Sequence, residues 1–158
     1  MPSCRPRAFA LAAISTIILA ACSAPATEAT NLDDELTMQT TELLYPSEGE
    51  SRYETINLPD PGGSGPITPA RLLDLLALDP LLQTETRTIP ALFDSLLGAG
   101  PDRAQYQLVL DTLQSSLTDL TVIRILPAAP HASEIEVHVV GRTPCGEIAG
   151  LKTISIET

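Results

Sequence analysis

The chain has 158 residues, no tryptophan, 3% aromatic side chains and a formal net charge of −11. So strong an acidic excess excludes direct nucleic-acid binding, which needs lysine and arginine patches set against phosphate. The length allows one domain with a single core, and with so few rings that core must be built from leucine, isoleucine and valine.

Residues 1–21 read as a signal peptide. Arg5 and Arg7 precede an apolar stretch from Phe9 to Leu19 that is too short to span a bilayer. Leu19-Ala20-Ala21-Cys22 then fits the lipobox of bacterial lipoproteins, in which the cysteine is diacylated on sulfur and becomes the first residue. Two or three acyl chains anchor stably where a single chain is marginal. By resemblance to Gram-negative lipoproteins, Ser23 rather than Asp after the cysteine implies the outer membrane, with the protein in the cell envelope facing the periplasm. Cleavage removes Arg5 and Arg7, so the mature chain is more acidic still. Residues 22–32 are small and polar and read as a flexible tether; residues 33–158 read as one domain. With Cys4 lost and Cys22 lipidated, Cys145 is expected to remain a thiol.

Asp33, Asp34 and Glu35 stand at the first turn of an expected short helix, where the dipole favours acids. Leu36, Thr40, Leu43 and Leu44 mark its buried face and Pro46 ends it. Ser47-Glu48-Gly49 follows as a loop, then a strand over 53–58. The run PDPGGSGP (59–66) predicts an exposed, mobile loop. Thr68 caps the next helix with Pro69 at its first position, and leucines at 72, 73, 75, 76 and 78 predict that it is well buried. A further helix spans 90–97 and stops at Gly98-Ala99-Gly100. The strongest pattern runs over 102–117: Tyr106, Val109, Leu110, Leu113 and Leu117 share one helical face, and Asp102 is placed to cap it. Strands follow at 121–126 and 135–140. The alternation of Leu151, Thr153, Ser155 and Glu157 against Lys152, Ile154, Ile156 and Thr158 carries a last strand to the final residue. Helices among hairpin-linked strands predict an α+β sandwich with a sheet of at least four strands.

Catalytic motifs are missing. The sequence contains no HExxH, no CxxC, no Gly-x-Ser-x-Gly and no phosphate-binding glycine loop. His138 alternates onto the polar face of its strand beside Glu136 and Glu134, His131 lies in a loop, and both read as surface histidines. Cys145 has neither a helix N-terminus nor a cation beside it in sequence to lower its pKa, so a thiol-dependent enzyme finds little support. The expectation is a protein that is not an enzyme.

Three stretches resemble the nuclease A inhibitor family: EIEVHVVGRTPCGEIAGLKTISIET (134–158), LLYPSEGESRYETINL (43–58) and, more weakly, LTDLTVIRI (117–125). The resemblance implies an α/β/α sandwich around a mostly antiparallel sheet, with no cofactor of its own. It also implies an inhibitor that occupies the active site of a non-specific ββα-metal DNA/RNA nuclease. The terminal threonine, here Thr158, would reach the partner's divalent metal, for which oxygen ligands are suited. Glu48 matches the family's Ser-Glu loop glutamate, and Asp102 and Glu157 complete the partner-binding candidates. The implied partner is a secreted or periplasmic nuclease. The chain departs from the family at 98–103, a short stretch in place of a Trp-containing acidic loop, and in its lipoprotein signal. An envelope binding or structural module that keeps the fold without inhibiting a nuclease is the alternative.

Overall fold

A computed structural model describes residues 25–98, 100–128 and 133–157. Its elements in chain order are α1 (Pro25–Thr40), β1 (Leu44–Pro46), β2 (Glu50–Arg52), β3 (Glu54–Leu58), α2 (Pro69–Leu75) and β4 (Thr84–Arg87), then α3 (Ile89–Leu96), α4 (Arg103–Ser116), β5 (Thr118–Ile125), β6 (Glu134–Arg142) and β7 (Ile148–Ile156). Five strands form one sheet in the order β3-β7-β6-β5-β4, with every neighbour antiparallel, and β1 pairs β2 in a separate hairpin.

Both faces of the sheet are covered, which explains the apolar runs in its strands. Because side chains alternate, Val122, Val137, Val139, Ala149 and Leu151 point to one face, where they meet Leu36 of α1, Phe93 of α3 and Leu113 of α4. Ile123, Ile125, Val140 and Ile148 point to the other and pack on Leu72 and Leu73 of α2. The fold is α+β with helices on both sides of an antiparallel sheet, the layered sandwich that the sequence predicts. Gly150, in the middle of β7, has φ +151°, and a Cβ there would lie 2.0 Å from the Val139 carbonyl oxygen. Only glycine allows β6 and β7 to pair that closely at this point.

Several expectations need correction. Helix α1 begins at Pro25 rather than at the acids near 33, so residues 25–32, whose composition suggests a tether, are helical, and Leu32 is buried. It ends at Thr40; Leu43 is buried as expected, but Leu44 is exposed in β1 and Pro46 lies in that strand. Strand β4 carries only polar residues and gives no alternation signal; pairing with β5 makes it a strand. Only Leu72 and Leu73 of α2 are fully buried. The 59–66 loop is pinned rather than loose. Asp60 is 5% exposed and accepts from Arg71 Nε (3.0 Å) and Arg142 Nη1 (2.8 Å). Arg142 also donates to the carbonyls of Gly65 (2.6 Å) and Gly146 (2.7 Å), tying the loop to the β6–β7 turn. Hydrogen bonds from Arg71 hold the Asp60 carboxyl below its ordinary pKa, with Arg142 adding to the effect.

Candidate functional site

The hairpin of β1 and β2 is three residue pairs long, Leu44↔Arg52, Tyr45↔Ser51 and Pro46↔Glu50, with Ser47-Glu48-Gly49 as its loop. It lies against the end of β7. Thr153 Oγ1 donates to the Arg52 carbonyl at 3.0 Å. At the loop the contacts become reciprocal: the Glu48 amide donates to the Ile156 carbonyl (3.2 Å), and the Ile156 amide donates to Ser47 Oγ (3.2 Å). Ser47 Oγ in turn donates to the Gly49 carbonyl at 2.6 Å. A Cβ on Gly49 would lie 2.3 Å from Ile156 Cδ1, so the loop presses directly on β7. Glu48 itself is exposed.

Glu157 follows immediately after that contact. Its amide donates to the Ser133 carbonyl at 3.0 Å, its Oε1 accepts from Ser155 Oγ at 3.2 Å, and the same carboxylate forms an ion pair with Arg124. Arg124 is 4% exposed and also donates to Glu85 at 2.7 Å. A buried guanidinium is costly unless paired, and two carboxylates, Glu85 in β4 and Glu157 just past β7, satisfy this one. The Tyr45 ring stands beside it; burial raises that phenol's pKa, with the nearby Arg124 charge opposing the shift.

Asp102 is held differently. It occupies the N-cap position of α4 but makes no side-chain capping bond, contrary to expectation, because its backbone (φ −91°, ψ 7°) is not in the extended conformation of a capping residue. It is exposed, and its charge reaches the Tyr106 hydroxyl, whose pKa is raised chiefly by burial. That hydroxyl donates to the Leu44 carbonyl at 2.7 Å. Tyr45, Tyr53 and Tyr106 stack edge to face at 6.2 and 6.3 Å. Asp102 is therefore linked to the base of the hairpin, whereas Glu48 is in the loop at its tip.

The structure thus brings Glu48 and Glu157 together and leaves Asp102 at the hairpin's other end. Thr158, His131 and Cys22 lie outside the described residues. His138 is not on the surface: it is 0% exposed, with Nε2 3.0 Å from Glu136 and Nδ1 without a protein partner among the described residues. Its strand has both faces covered, so simple alternation places it wrongly. Cys145 is disulfide-bonded, which overturns the expected thiol; the chain's other cysteines, Cys4 and Cys22, are outside the described residues. Arg124, Ser47 and Tyr45 escape sequence reasoning, although an arginine in the apolar run VIRIL was a visible signal for a buried cation. Among the described residues no group of three or more His, Cys, Asp or Glu could hold a metal ion, and no helix is long and apolar enough to cross a membrane.

The family model described as "Nuclease A inhibitor-like protein" matches residues 30–158. No curated protein matches the chain.

Proposed function

The chain belongs to the nuclease A inhibitor-like family, and from that premise we propose that it inhibits a metal-dependent nuclease by occupying the enzyme's active site. One observation carries the reading: the Glu48 amide donates to the Ile156 carbonyl while the Ile156 amide donates to Ser47 Oγ, which sets an exposed acidic loop beside the segment leading to Thr158. A nuclease cleft built for polyanionic nucleic acid attracts acidic surfaces. Glu48 meets a cationic group of that cleft, and Thr158 supplies oxygen atoms to its divalent metal. The target is a ββα-metal enzyme, secreted or periplasmic, and the inhibitor shares its compartment in the envelope, facing the periplasm; lipid on Cys22 anchors it there only in a form whose Cys145 is not paired with Cys22.

Stoichiometric mixing of the purified protein with the ββα-metal nucleases of the same cell tests the inhibition. Loss of DNA cleavage, relieved by excess nuclease, is the expected outcome; full cleavage with every such nuclease sinks the reading. Intact mass tests the anchor. One sulfur cannot carry both a diacylglycerol and a disulfide, so an envelope form with lipid mass on Cys22 supports anchoring, and a Cys22–Cys145 disulfide excludes it. The short 98–103 stretch, without tryptophan, favours a second reading, an envelope binding module without inhibition, since large aromatic anchors often dominate interface energy. Pull-down from envelope extract that returns assembly proteins and no nuclease supports that alternative.

A further inference from the structure

We propose that Arg124 is a positioning residue for the partner-facing end of the molecule: through Glu157 it fixes the segment that follows β7 beside the Ser47–Gly49 loop. The proposal rests on the inhibitory reading and makes Glu157 a strut rather than a contact.

Arg124 lies on the face of β5 that also carries Val122, and its neighbour across the ladder on β6 is Val137, both fully buried. A cation placed there needs carboxylates. It takes Glu85 from β4 with Nη1, at 2.7 Å, and Glu157 from beyond β7 with Nη2. The planar fork serves both at once; a lysine ammonium is a single point charge and lacks that geometry. Residues beyond the last hydrogen-bonded strand position ordinarily fray. At Glu157 the Arg124 pair, Ser155 Oγ and the Ser133 carbonyl oppose fraying from both side chain and backbone. On the neighbouring side Ile156 is locked to Ser47 and Glu48. The direction in which the chain leaves Glu157 is thereby set before any partner arrives, which removes an ordering cost from association.

The test combines a double-mutant cycle on inhibition with amide order parameters of the free protein. Arg124→Met and Glu157→Ala should each weaken inhibition on the order of tenfold by releasing one ordered segment. The double variant should be no worse than either, since both remove the same restraint. Amide order parameters at Glu157 and Thr158 should fall from about 0.85 towards below 0.6 in both variants, and Arg124→Lys should give partial order. Glu85→Ala should leave these amides ordered while lowering the melting temperature. If Glu157→Ala costs the same factor in the Arg124→Met background as in the wild type, Glu157 touches the partner directly and the proposal is overturned. It is equally overturned if both amides stay rigid without Arg124. Should Arg124→Met fail to fold, Arg124→Lys and Glu157→Ala still report both quantities. A wild type that inhibits no nuclease removes the inhibitory reading, while the order parameters still decide whether Arg124 holds the segment.

Discussion

Glu48 is the acid whose surroundings favour binding over stability. It stands at the exposed tip of a loop whose backbone is fixed by Ile156, so its removal should be felt by a partner and not by the core. Glu48→Ala is expected to raise the inhibition constant about thirtyfold to several thousandfold, the range for losing one partner of a close interfacial charge pair at about 2–5 kcal/mol, with the fold retained. Deleting Thr158, or extending the chain with a tag, should weaken inhibition to a similar degree. Inhibition assays run beside thermal melts check both, and unchanged inhibition in all three forms would remove these residues from the interface. His138 behaves in the opposite way. Burial lowers its pKa from the ordinary 6.5, with Glu136 opposing and Lys152 adding to the shift. The folded state thus binds a proton less readily than the unfolded chain. Stability is therefore full above about pH 6.5 and declines as pH falls below it. Melting temperatures between pH 7.5 and 5.5 should drop for the wild type and stay flatter in His138→Gln.

At the scale of elements, the β1–β2 hairpin is the piece that a single substitution can detach. Gly49→Val places a branched side chain against Ile156 Cδ1, where even a Cβ is too close, so the Ile156 side chain must turn aside or the loop must shift on β7. Ser47→Ala removes two hydrogen bonds worth about 1 kcal/mol each. Both should loosen Glu48 relative to Glu157, and amide exchange at Glu48 and Ile156 would show it as lost protection. The helix starts differ in kind. Thr68 and Thr88 accept from the amides of Arg71 and Ala91, both at 3.3 Å, so replacing either by alanine should cost about 1 kcal/mol. Asp102→Ala should cost α4 far less, because no capping bond is lost. Chemical denaturation of the three variants measures the difference.

For the molecule as a whole, two charge effects work at different depths. The inner one is the Asp60–Arg142–Arg71 cluster joining the 59–66 loop, α2 and the β6–β7 turn. A carboxyl whose folded pKa is depressed contributes stability above its unfolded value, 3.8 here, and loses it as pH falls through the folded value. Asp60→Asn should abolish that part of the acid transition and destabilise the fold at neutral pH, because the buried Arg142 keeps its carbonyl partners but loses its counter-charge. Urea titrations at pH 7 and pH 3 compare the two directly. The outer effect is the net charge of −11. If it steers the protein to a cationic cleft, the association rate should fall steeply as salt rises from 0.01 to 0.15 M, while dissociation changes little.

How much of this was legible in the residues follows from the range of the forces involved. The capping Thr68, proline at helix starts, the single-face pattern of α4 and the three central strands are local signals, and they were readable because each depends on neighbours within a few positions. The Ser-Glu loop and the Gly-Arg-Thr-Pro-Cys-Gly turn carried the family, since backbone conformations there restrict which residues fit. Strand β4 was not readable, because polar residues become a strand only when β5 offers its edge. Nor was the burial of His138, which depends on both sheet faces being covered, or the disulfide at Cys145, which depends on distant sulfur. The site divides in the same way. The sequence by itself determined that Glu48 lies in a loop, and it carried the last strand through Glu157, which the structure places just beyond that strand's end. Only the tertiary structure decided that the two are neighbours, because 109 positions separate Ser47 from Ile156 and a buried arginine in a third strand holds the second of them in place.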